Sequence, residues 1–375
     1  MSSPSKLTIA AIEFWPVDLA LTDVFTISKG SVGVAENIFI KLTLEDGSEG
    51  YGEIAPFTAL TGENRDGCLS ICREVAPVLL DKTVARYRDL SFRIETLAPE
   101  HPAVRCGFET AVLDALTRSL GIPLWSFWGG AVSGPLETDM TIPILSRDRS
   151  LALAGHWYGL GFRTIKLKVG GDLDKEVALA WEIHKSFPGV SFIFDANQGF
   201  DVAQSRLFLK ETLRKGLSVT LLEQPVARDD LDGMAALRAE SVVPIAADES
   251  VFTRQDAGAV IRKGAADVIN LKITKSGGLA TLDIAAAALT AGMKLMIGGM
   301  VESRLAMACS LSMALGTGGI SFLDLDTPLL MKEDAWRGGY RYSGPLMSSW
   351  PEAGLGMVPC NDSARLERGF SFKRS

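Results

Sequence analysis

The stretch from residue 164 to residue 198 reads TIKLKVGGDLDKEVALAWEIHKSFPGVSFIFDANQ, and its pattern decides the fold. It contains a short apolar strand pattern, then a helical pattern, then a second strand pattern. Strands that alternate with helices of 10 to 15 residues are typical of βαβ units in a parallel sheet. Eight such apolar segments, spaced about 24 to 28 residues apart, lie between residues 138 and 328. Eight strands favour a closed barrel over an open sheet.

The apolar segments end in polar residues that form one chemically coherent set. The tails are TIKLK at 164–168, IFDAN at 193–197, LLEQP at 221–225, AADES at 246–250, INLK at 269–272 and FLDLD at 322–326. A parallel barrel brings the carboxyl ends of its strands together at one mouth. We therefore expect residues spread over roughly 160 positions to surround a single ligand.

The chain divides near residue 135. Before it, residues 36–54 alternate like a β-hairpin with its turn at Asp46-Gly47, and residues 107–121 have a helical pattern that Gly121 stops. We predict an α/β fold in which residues 135–329 form a parallel eight-stranded barrel. Residues 1–134 are predicted to form an α+β domain, which the C-terminal segment 330–375 completes.

Side-chain alternation directs charged residues to one face of a strand. Lys166 and Lys168 share a face, as do Asp324 and Asp326, because side chains repeat every two residues along a strand. One isolated pair of this kind is usually a solvated strand face. Repetition on six strands favours a site, since charges buried in a barrel need partners or a metal.

Three carboxylates on successive strands form a candidate metal site. Asp195, Glu223 and Asp248 supply hard oxygen donors, which suit Mg²⁺ or alternatively Mn²⁺. The lack of histidine and cysteine in these tails argues against zinc. Glu249 is better placed as a partner of the ligands than as a fourth ligand.

The lysines are candidate acid–base groups. A lysine is mostly protonated at neutral pH, but a neighbouring ammonium on Lys166 and a nearby cation favour the neutral, basic form of Lys168. Lys272 lies on the sixth strand, across the barrel from the second. Two bases that face each other across one carbon can remove a proton from one side and return it on the other.

These residues resemble the enolase superfamily, in its muconate-lactonizing subgroup. The resemblance rests on KLK at 166–168, the Asp195, Glu223 and Asp248 series, DES at 248–250 and Lys272, and it covers nearly the whole chain. It implies that residues 135–329 form a modified TIM barrel, (β/α)7β, and that residues 1–134 with 330–375 form an α+β capping domain. It also implies an essential Mg²⁺, abstraction of a proton α to a carboxylate and a metal-stabilised enediolate. It also implies a homo-oligomer.

Within that subgroup, DLDTP at 324–328 resembles the Asp-x-Asp of dipeptide epimerases of the L-Ala-D/L-Glu type. The resemblance implies that Asp324 and Asp326 hold the α-ammonium group of a dipeptide. It also implies that Thr141, Gly299, Met300 and Val301 contact the substrate, the last three through backbone amides. The segment FTISK at 25–29 resembles the specificity loop, with Lys29 where the Ala-Glu epimerases carry an arginine. A cation at this position implies a carboxylate on the second residue of the dipeptide, as in Ala-Glu. The expected activity is Mg-dependent epimerisation at the C-terminal residue of an L,L-dipeptide.

Other activities remain open at this point. A muconate cycloisomerase-type lyase, an o-succinylbenzoate synthase or an N-acylamino acid racemase of the same subgroup would share the metal and lysine residues. Two inward carboxylates suit a cationic group better than a dianion or a blocked amine. A barrel that binds without catalysis is the alternative from a different class, and the complete metal and lysine set disfavours it.

Composition excludes several other classes. The chain has 375 residues, 47% of them hydrophobic, and a formal net charge of -7, so a nucleic-acid partner is not expected. We expect a cytoplasmic protein without a membrane segment, because the N-terminus lacks a signal-peptide pattern and no apolar run reaches about 20 residues. The five cysteines, at 68, 72, 106, 309 and 360, are predicted to be reduced thiols in the core.

Overall fold

The structure is a computed structural model, and it describes residues 6–360 and 369–374. Its first part is an antiparallel sheet covered by helices. The elements are β1 (Ile9–Ile27), β2 (Gly30–Leu44), β3 (Glu49–Ile54), α1 (Thr58–Thr61), α2 (Arg65–Leu79), a 3-10 turn (Val84–Arg86), α3 (Tyr87–Leu97), α4 (Pro102–Leu120), α5 (Leu124–Phe127) and β4 (Leu136–Glu137).

A parallel eight-stranded sheet with intervening helices follows. Its elements are β5 (Met140–Ile142), α6 (Arg147–Gly159), β6 (Thr164–Lys168), α7 (Leu173–Ser186), β7 (Ser191–Asp195), α8 (Val202–Arg214), β8 (Val219–Glu223), α9 (Leu231–Glu240), β9 (Ile245–Ala247), α10 (Arg254–Lys263), β10 (Val268–Leu271), α11 (Ile273–Ser276), α12 (Gly278–Thr290), β11 (Lys294–Ile297), α13 (Arg304–Thr317) and β12 (Ile320–Leu323). The strands lie in sequence order from β5 to β12. The predicted (β/α)7β fold is confirmed.

The two edges of this sheet meet, so the sheet curls into a barrel. The backbone amide of Asp139, just before β5, donates a hydrogen bond of 2.9 Å to the carbonyl of Leu323 on β12. The amide of Leu325 donates to the hydroxyl of Thr138 at 2.9 Å. Because these bonds join the first strand to the last, the carboxyl ends of all eight strands surround one mouth.

The C-terminal segment returns to strand structure. A 3-10 turn (Thr327–Leu330) leads to β13 (Trp336–Gly338), β14 (Tyr340–Ser343), β15 (Leu346–Ser349), β16 (Met357–Pro359) and β17 (Phe370–Lys373). β17 pairs antiparallel with β1 and thereby adds a strand to the N-terminal sheet, while β15 pairs with β4. The exact domain limits, 134/135 and 329/330, stay a prediction.

Two local predictions in the capping domain are confirmed. The hairpin turn at Asp46-Gly47 is confirmed, with Gly47 at φ 84 and the Ser48 amide bound to the Asp46 carboxylate at 2.8 Å. The helical stretch predicted at 107–121 is also confirmed, and α4 extends it toward the N-terminus, where it begins at Pro102. Proline tolerates the first turn of a helix, where its missing N–H is not needed. The helix ends where predicted, before Gly121 at φ 71.

The cysteine prediction is correct for four residues and wrong for one. All five are free thiols, and Cys68, Cys72, Cys106 and Cys309 are buried. Cys360 is exposed, because it follows the short edge strand β16 rather than lying under a helix. Within the described residues, no helix is both long and apolar enough to cross a bilayer.

Candidate active site at the barrel mouth

Strand register brings the predicted site residues side by side. Lys168 at the end of β6 pairs with Asp195 at the end of β7, and Asp195 pairs with Glu223 at the end of β8. Asp248 directly follows β9 and Lys272 directly follows β10. The five side chains are all buried, so the parallel pairing alone collects three carboxylates and two lysines at one end of the barrel.

Lys166 is the central cation of this cluster. Its Nζ lies 2.6 Å from Asp324 Oδ2, 2.8 Å from Glu223 Oε2 and 3.1 Å from Asp195 Oδ2. Burial opposes the charge on Lys166, but these three carboxylates outweigh burial and raise its pKa well above the usual value. Lys166 therefore stays an ammonium and connects the candidate metal ligands to the Asp-x-Asp segment.

The two candidate bases each contact one carboxylate. Lys168 Nζ lies 2.6 Å from Asp195 Oδ2, and Lys272 Nζ lies 2.7 Å from Asp248 Oδ2. Burial disfavours the charged form of Lys272, but Asp248 outweighs burial and raises its pKa. Asp195 shows the reciprocal effect: burial raises its pKa, yet Lys168 and Lys166 lower it to about 2.

A third lysine near the mouth is Lys275, which the sequence analysis missed. Its Nζ lies 2.6 Å from both the carboxylate and the backbone carbonyl of Asp248, and 3.0 Å from the carbonyl of Asn270. Lys275 lies in the short helix α11, which directly follows Lys272 and places the Lys275 ammonium group at the end of β9. Its spacing of three residues from Lys272 was the available signal, because one helical turn places both ammonium groups on Asp248.

The donor set at the mouth fits a hard divalent cation. Asp195, Glu223 and Asp248 are fully buried oxygen donors. Beside them, Asn197 Oδ1 and Glu249 Oε2 are buried and accept no hydrogen bond from the described residues. Unpaired buried oxygens of this kind are costly and suit a cation. Glu249 is a neighbour of this set, because its other oxygen accepts a 3.2 Å bond from Asn197.

The three predicted ligands are adjacent without being tightly gathered. Among the described residues, the acidic group whose oxygens all lie within 4.8 Å of one another is instead Asp139, Asp324 and Asp326. The reason is the lysines: Lys166 contacts both Asp195 and Glu223, and Lys272 with Lys275 holds Asp248. Joint coordination of one cation would exchange these lysine contacts for metal contacts. The ligand assignment stays a prediction.

The Asp-x-Asp pair lies beyond the end of β12 and is joined by a third acid. Asp326 accepts a 2.5 Å bond from the Thr141 amide through Oδ2, while its Oδ1 has no partner in the described part of the chain. Both oxygens of Asp139 are also unpaired, although only 3% of Asp139 is exposed. Burial, followed by the charges of Asp324 and Asp326, raises the pKa of Asp139 well above its usual value. Asp139 lies two residues before Thr141, a spacing that places both side chains on the same face of the first strand. This spacing was the available sequence signal.

A small cavity separates the barrel mouth from the capping domain. Its walls are formed by Phe25, Ile27, Phe57, Leu60, Thr141, Lys168, Asn197, Lys272, Gly299, Met300, Val301, Asp324, Asp326 and Thr327. Both candidate bases, the Asp-x-Asp pair, Thr141 and the predicted backbone contacts therefore face one space. The cavity volume is only about 20 Å³, so the capping domain and the barrel mouth pack closely around these side chains.

Lys29 is the predicted substrate contact that the structure leaves outside this space. It lies in the turn between β1 and β2, is exposed, and is absent from the cavity wall. The neighbouring strand residues Phe25 and Ile27 point inward instead. A two-residue turn at the tip of a hairpin extends past the strand face, which explains why the loop is near the site while its lysine is not.

The fold and the cavity define a barrel with two lysines at its mouth, Lys168 and Lys272, next to a cluster of buried carboxylates. The family model for the enolase C-terminal domain-like region matches residues 150–363, and the model for the mandelate racemase / muconate lactonizing enzyme N-terminal domain matches residues 12–129. The chain belongs to the mandelate racemase / muconate lactonizing enzyme family of the enolase superfamily.

Relatives within this family are similar over almost their full length. An aromatic dipeptide epimerase from Herpetosiphon aurantiacus is 40% identical over 93% of this chain and 98% of its own. A substrate-liganded L-Ala-D/L-Glu epimerase from Bacillus subtilis superposes with a TM-score of 0.91 at 32% identity, covering 94% and 99%. A dipeptide epimerase from Cytophaga hutchinsonii, in complex with Mg and D-Ala-L-Val, has a TM-score of 0.93 at 29% identity, covering 97% and 99%.

Proposed function

We propose that this chain is a Mg-dependent dipeptide epimerase, an isomerase that inverts the α-carbon of the C-terminal residue of an L,L-dipeptide. One observation carries the proposal: Lys168 and Lys272 face the same cavity as Asp324 and Asp326. Two bases beside an anionic socket match a substrate with an acidic α-proton and a separate cationic end. The similar proteins named dipeptide epimerases support the same activity.

The two lysines divide the proton transfer between them. In one direction, a neutral Lys168 accepts the α-proton and the ammonium of Lys272 donates a proton to the opposite face of the same carbon. The reverse direction exchanges these roles, so the bonds broken and formed balance in each turnover. Lys166 supports both directions. Its ammonium group lies next to the candidate metal ligands Asp195 and Glu223, where it can stabilise the negative charge that develops on the substrate.

The α-ammonium of the dipeptide is assigned to Asp324 and Asp326. Asp324 shares one oxygen with Lys166, and Asp326 Oδ1 is free to accept a hydrogen bond within the described structure. A muconate-type dianion would be repelled by this pair, and an acylated amine would leave its charges unpaired. These carboxylates therefore favour a free dipeptide over the substrates of the alternative activities in this subgroup.

Mg²⁺ is assigned to Asp195, Glu223 and Asp248, with Mn²⁺ as an alternative. When bound, a divalent cation there makes the α-proton of a coordinated carboxylate more acidic. The complex of the Cytophaga hutchinsonii protein with Mg supports a divalent metal. The homo-oligomer and the cytoplasmic location stay predictions from the family resemblance and the sequence.

A dipeptide library incubated with Mg²⁺ in D₂O and read by mass spectrometry tests the proposed function. We expect deuterium to enter the α-position of the C-terminal residue and the L,L and L,D isomers to interconvert. A cycloisomerase or synthase would instead leave dipeptides unlabelled and change a carbon skeleton or eliminate a group. An acylamino acid racemase would prefer N-acetylated compounds, and a binding barrel would exchange no proton.

A further inference from the structure

The side of the cavity that the capping domain supplies is apolar. Phe25 and Ile27 from β1, together with Phe57 and Leu60 from the segment after β3, form a surface that we call the apolar roof. Phe25, Ile27 and Phe57 are each less than 10% exposed. The Phe25 ring centroid lies 5.8 Å from Lys168 Nζ, so the roof reaches the candidate base.

Stereochemistry determines what the roof contacts. The reacting α-carbon carries four substituents, and three have destinations in the proposed function. The proton faces a lysine, the carboxylate faces the metal ligands, and the peptide nitrogen continues toward Asp324 and Asp326. Since those groups all belong to the barrel, the remaining substituent, the side chain of the epimerised residue, must point toward the capping domain.

Every charged side chain in the cavity wall already has another role. Lys168 and Lys272 are the candidate bases, and Asp324 with Asp326 is the candidate ammonium socket. The roof contributes no charged group to the wall, and Lys29 lies outside it. A carboxylate or ammonium on the substrate side chain would therefore be buried against aromatic and aliphatic groups without a partner, which is strongly unfavourable.

An apolar side chain has the opposite balance. Its transfer from water onto Phe25, Ile27 and Phe57 is favourable in proportion to the area that becomes buried. These roof residues are themselves buried, so a side chain that contacts them is also removed from water.

Resting on the proposed function, we infer that the epimerised C-terminal residue is apolar, aliphatic or aromatic, and that the apolar roof selects it. The inference names a substrate class, dipeptides such as L-Ala-L-Leu and L-Ala-L-Phe. It replaces the expectation, drawn from Lys29, of a carboxylate on the second residue.

The test is the relative kcat/KM of the wild-type holoenzyme for L-Ala-L-Leu, L-Ala-L-Phe, L-Ala-L-Glu and L-Ala-L-Lys. We expect the two apolar dipeptides to exceed the two charged ones by about 100-fold or more, the range for burying an unpaired charge. A preference for L-Ala-L-Glu or L-Ala-L-Lys would overturn the inference while leaving the proposed function intact. Absence of α-proton exchange with every dipeptide would overturn the proposed function itself.

A charge-swap variant locates the selectivity on the roof. Leu60→Arg should raise the ratio of kcat/KM for L-Ala-L-Glu over L-Ala-L-Leu by at least about 10-fold, because it gives a buried carboxylate a partner. Val24→Arg is the matched control, since Val24 is exposed on the strand that carries Phe25 and should leave this ratio unchanged. An equal shift in both variants would show that net charge, and not the roof, determines the ratio.

Discussion

Buried carboxyl groups at the barrel mouth and at the contact between the barrel and the capping domain are stabilised differently. At the mouth, Asp195 contacts the ammonium groups of Lys168 and Lys166. At the contact, Glu53 accepts neutral hydrogen bonds from Asn37 at 2.7 Å and from the Ser303 hydroxyl at 2.6 Å. Burial raises the pKa of Glu53, whereas the lysines lower that of Asp195.

This difference separates carboxylates that can take part in chemistry from a carboxyl group, that of Glu53, with a structural role. Asp195 and Asp248, each paired with two lysines, stay ionised and can exchange these partners for a metal or a substrate. Glu53 instead joins β3 to the N-terminus of α13, where the backbone amides of Ser303 and Ala306 also donate to it. Neutral donors fix the position of the capping domain, and with it the apolar roof, without adding a second charged site. The following predictions test this division.

The largest effect is expected from the two bases. Lys168→Ala and Lys272→Ala should each lower two-way epimerisation by at least about 1000-fold, since a positioned general base contributes this much. Either variant can still exchange the α-proton of one stereoisomer, which NMR in D₂O would detect. Lys210→Ala, an exposed lysine on α8, is the control. Substantial two-way epimerisation by either single variant would show that the pair is misassigned.

Removal of one charge from the metal site should have the next largest effect. Glu223→Gln keeps the size of the side chain but should weaken Mg²⁺ binding by more than about 100-fold, because even outer partners of metal ligands are worth that much. Calorimetric titration with Mg²⁺ measures this directly. Chelation of wild type should abolish exchange and added Mg²⁺ should restore it. Full activity in excess chelator, or unchanged Mg²⁺ affinity in the variant, would refute the ligand set; Glu240→Gln is the surface control.

Asp324→Asn tests the ammonium socket separately from the metal. It should lower kcat/KM for free dipeptides by at least tens-fold, because loss of one partner from a desolvated charge pair costs about 2 to 5 kcal/mol. Mg²⁺ affinity should stay near that of wild type. N-acetylated dipeptides should lose much less activity, since they have no cation to pair. If wild type already prefers the acetylated compounds, the dipeptide assignment fails.

Glu63 tests the carboxyl groups that neutral donors stabilise, because it is buried in the capping domain and accepts a hydrogen bond from a backbone amide. Burial raises the pKa of Glu63 to about 7, although the hydrogen bond from the Ala103 amide acts to lower it. The folded state thus binds this proton more tightly than the unfolded state, so the free energy of unfolding should fall as pH rises from about 4.5 to about 7. Glu63→Gln should remove up to about 3 kcal/mol of this fall. Urea unfolding across this pH range would show it, and an unchanged slope would contradict the assignment.

The smallest effect is expected at Lys29. Lys29→Glu should change the ratio of kcat/KM for L-Ala-L-Lys over L-Ala-L-Glu by no more than about fivefold, through solvent-screened charge alone. A large shift toward cationic second residues would restore Lys29 as a direct substrate contact.

Much of the barrel could be predicted because its signal is local. In TIKLK at 164–168 and FLDLD at 322–326, five residues are enough to predict a strand and to show which of its faces is charged. The same pattern recurs along the chain. The (β/α)7β fold and the family were therefore predicted correctly. Lys275 and Asp139 were missed because each is a single charged residue without a local pattern. Only the structure distinguishes them from solvated side chains: Lys275 contacts Asp248, and both oxygens of the buried Asp139 lack a partner among the described residues.

The sequence by itself determined the chemical inventory of the barrel mouth, because strand periodicity and the parallel topology together force Lys166, Lys168 and the acidic tails to one end. Only the tertiary structure decided what faces them. Phe25 and Phe57 lie more than 100 residues before the bases in the chain, and an apolar residue at either position is compatible with any buried surface. Which apolar surface covers the mouth depends on packing between domains, a long-range contact that no local periodicity records.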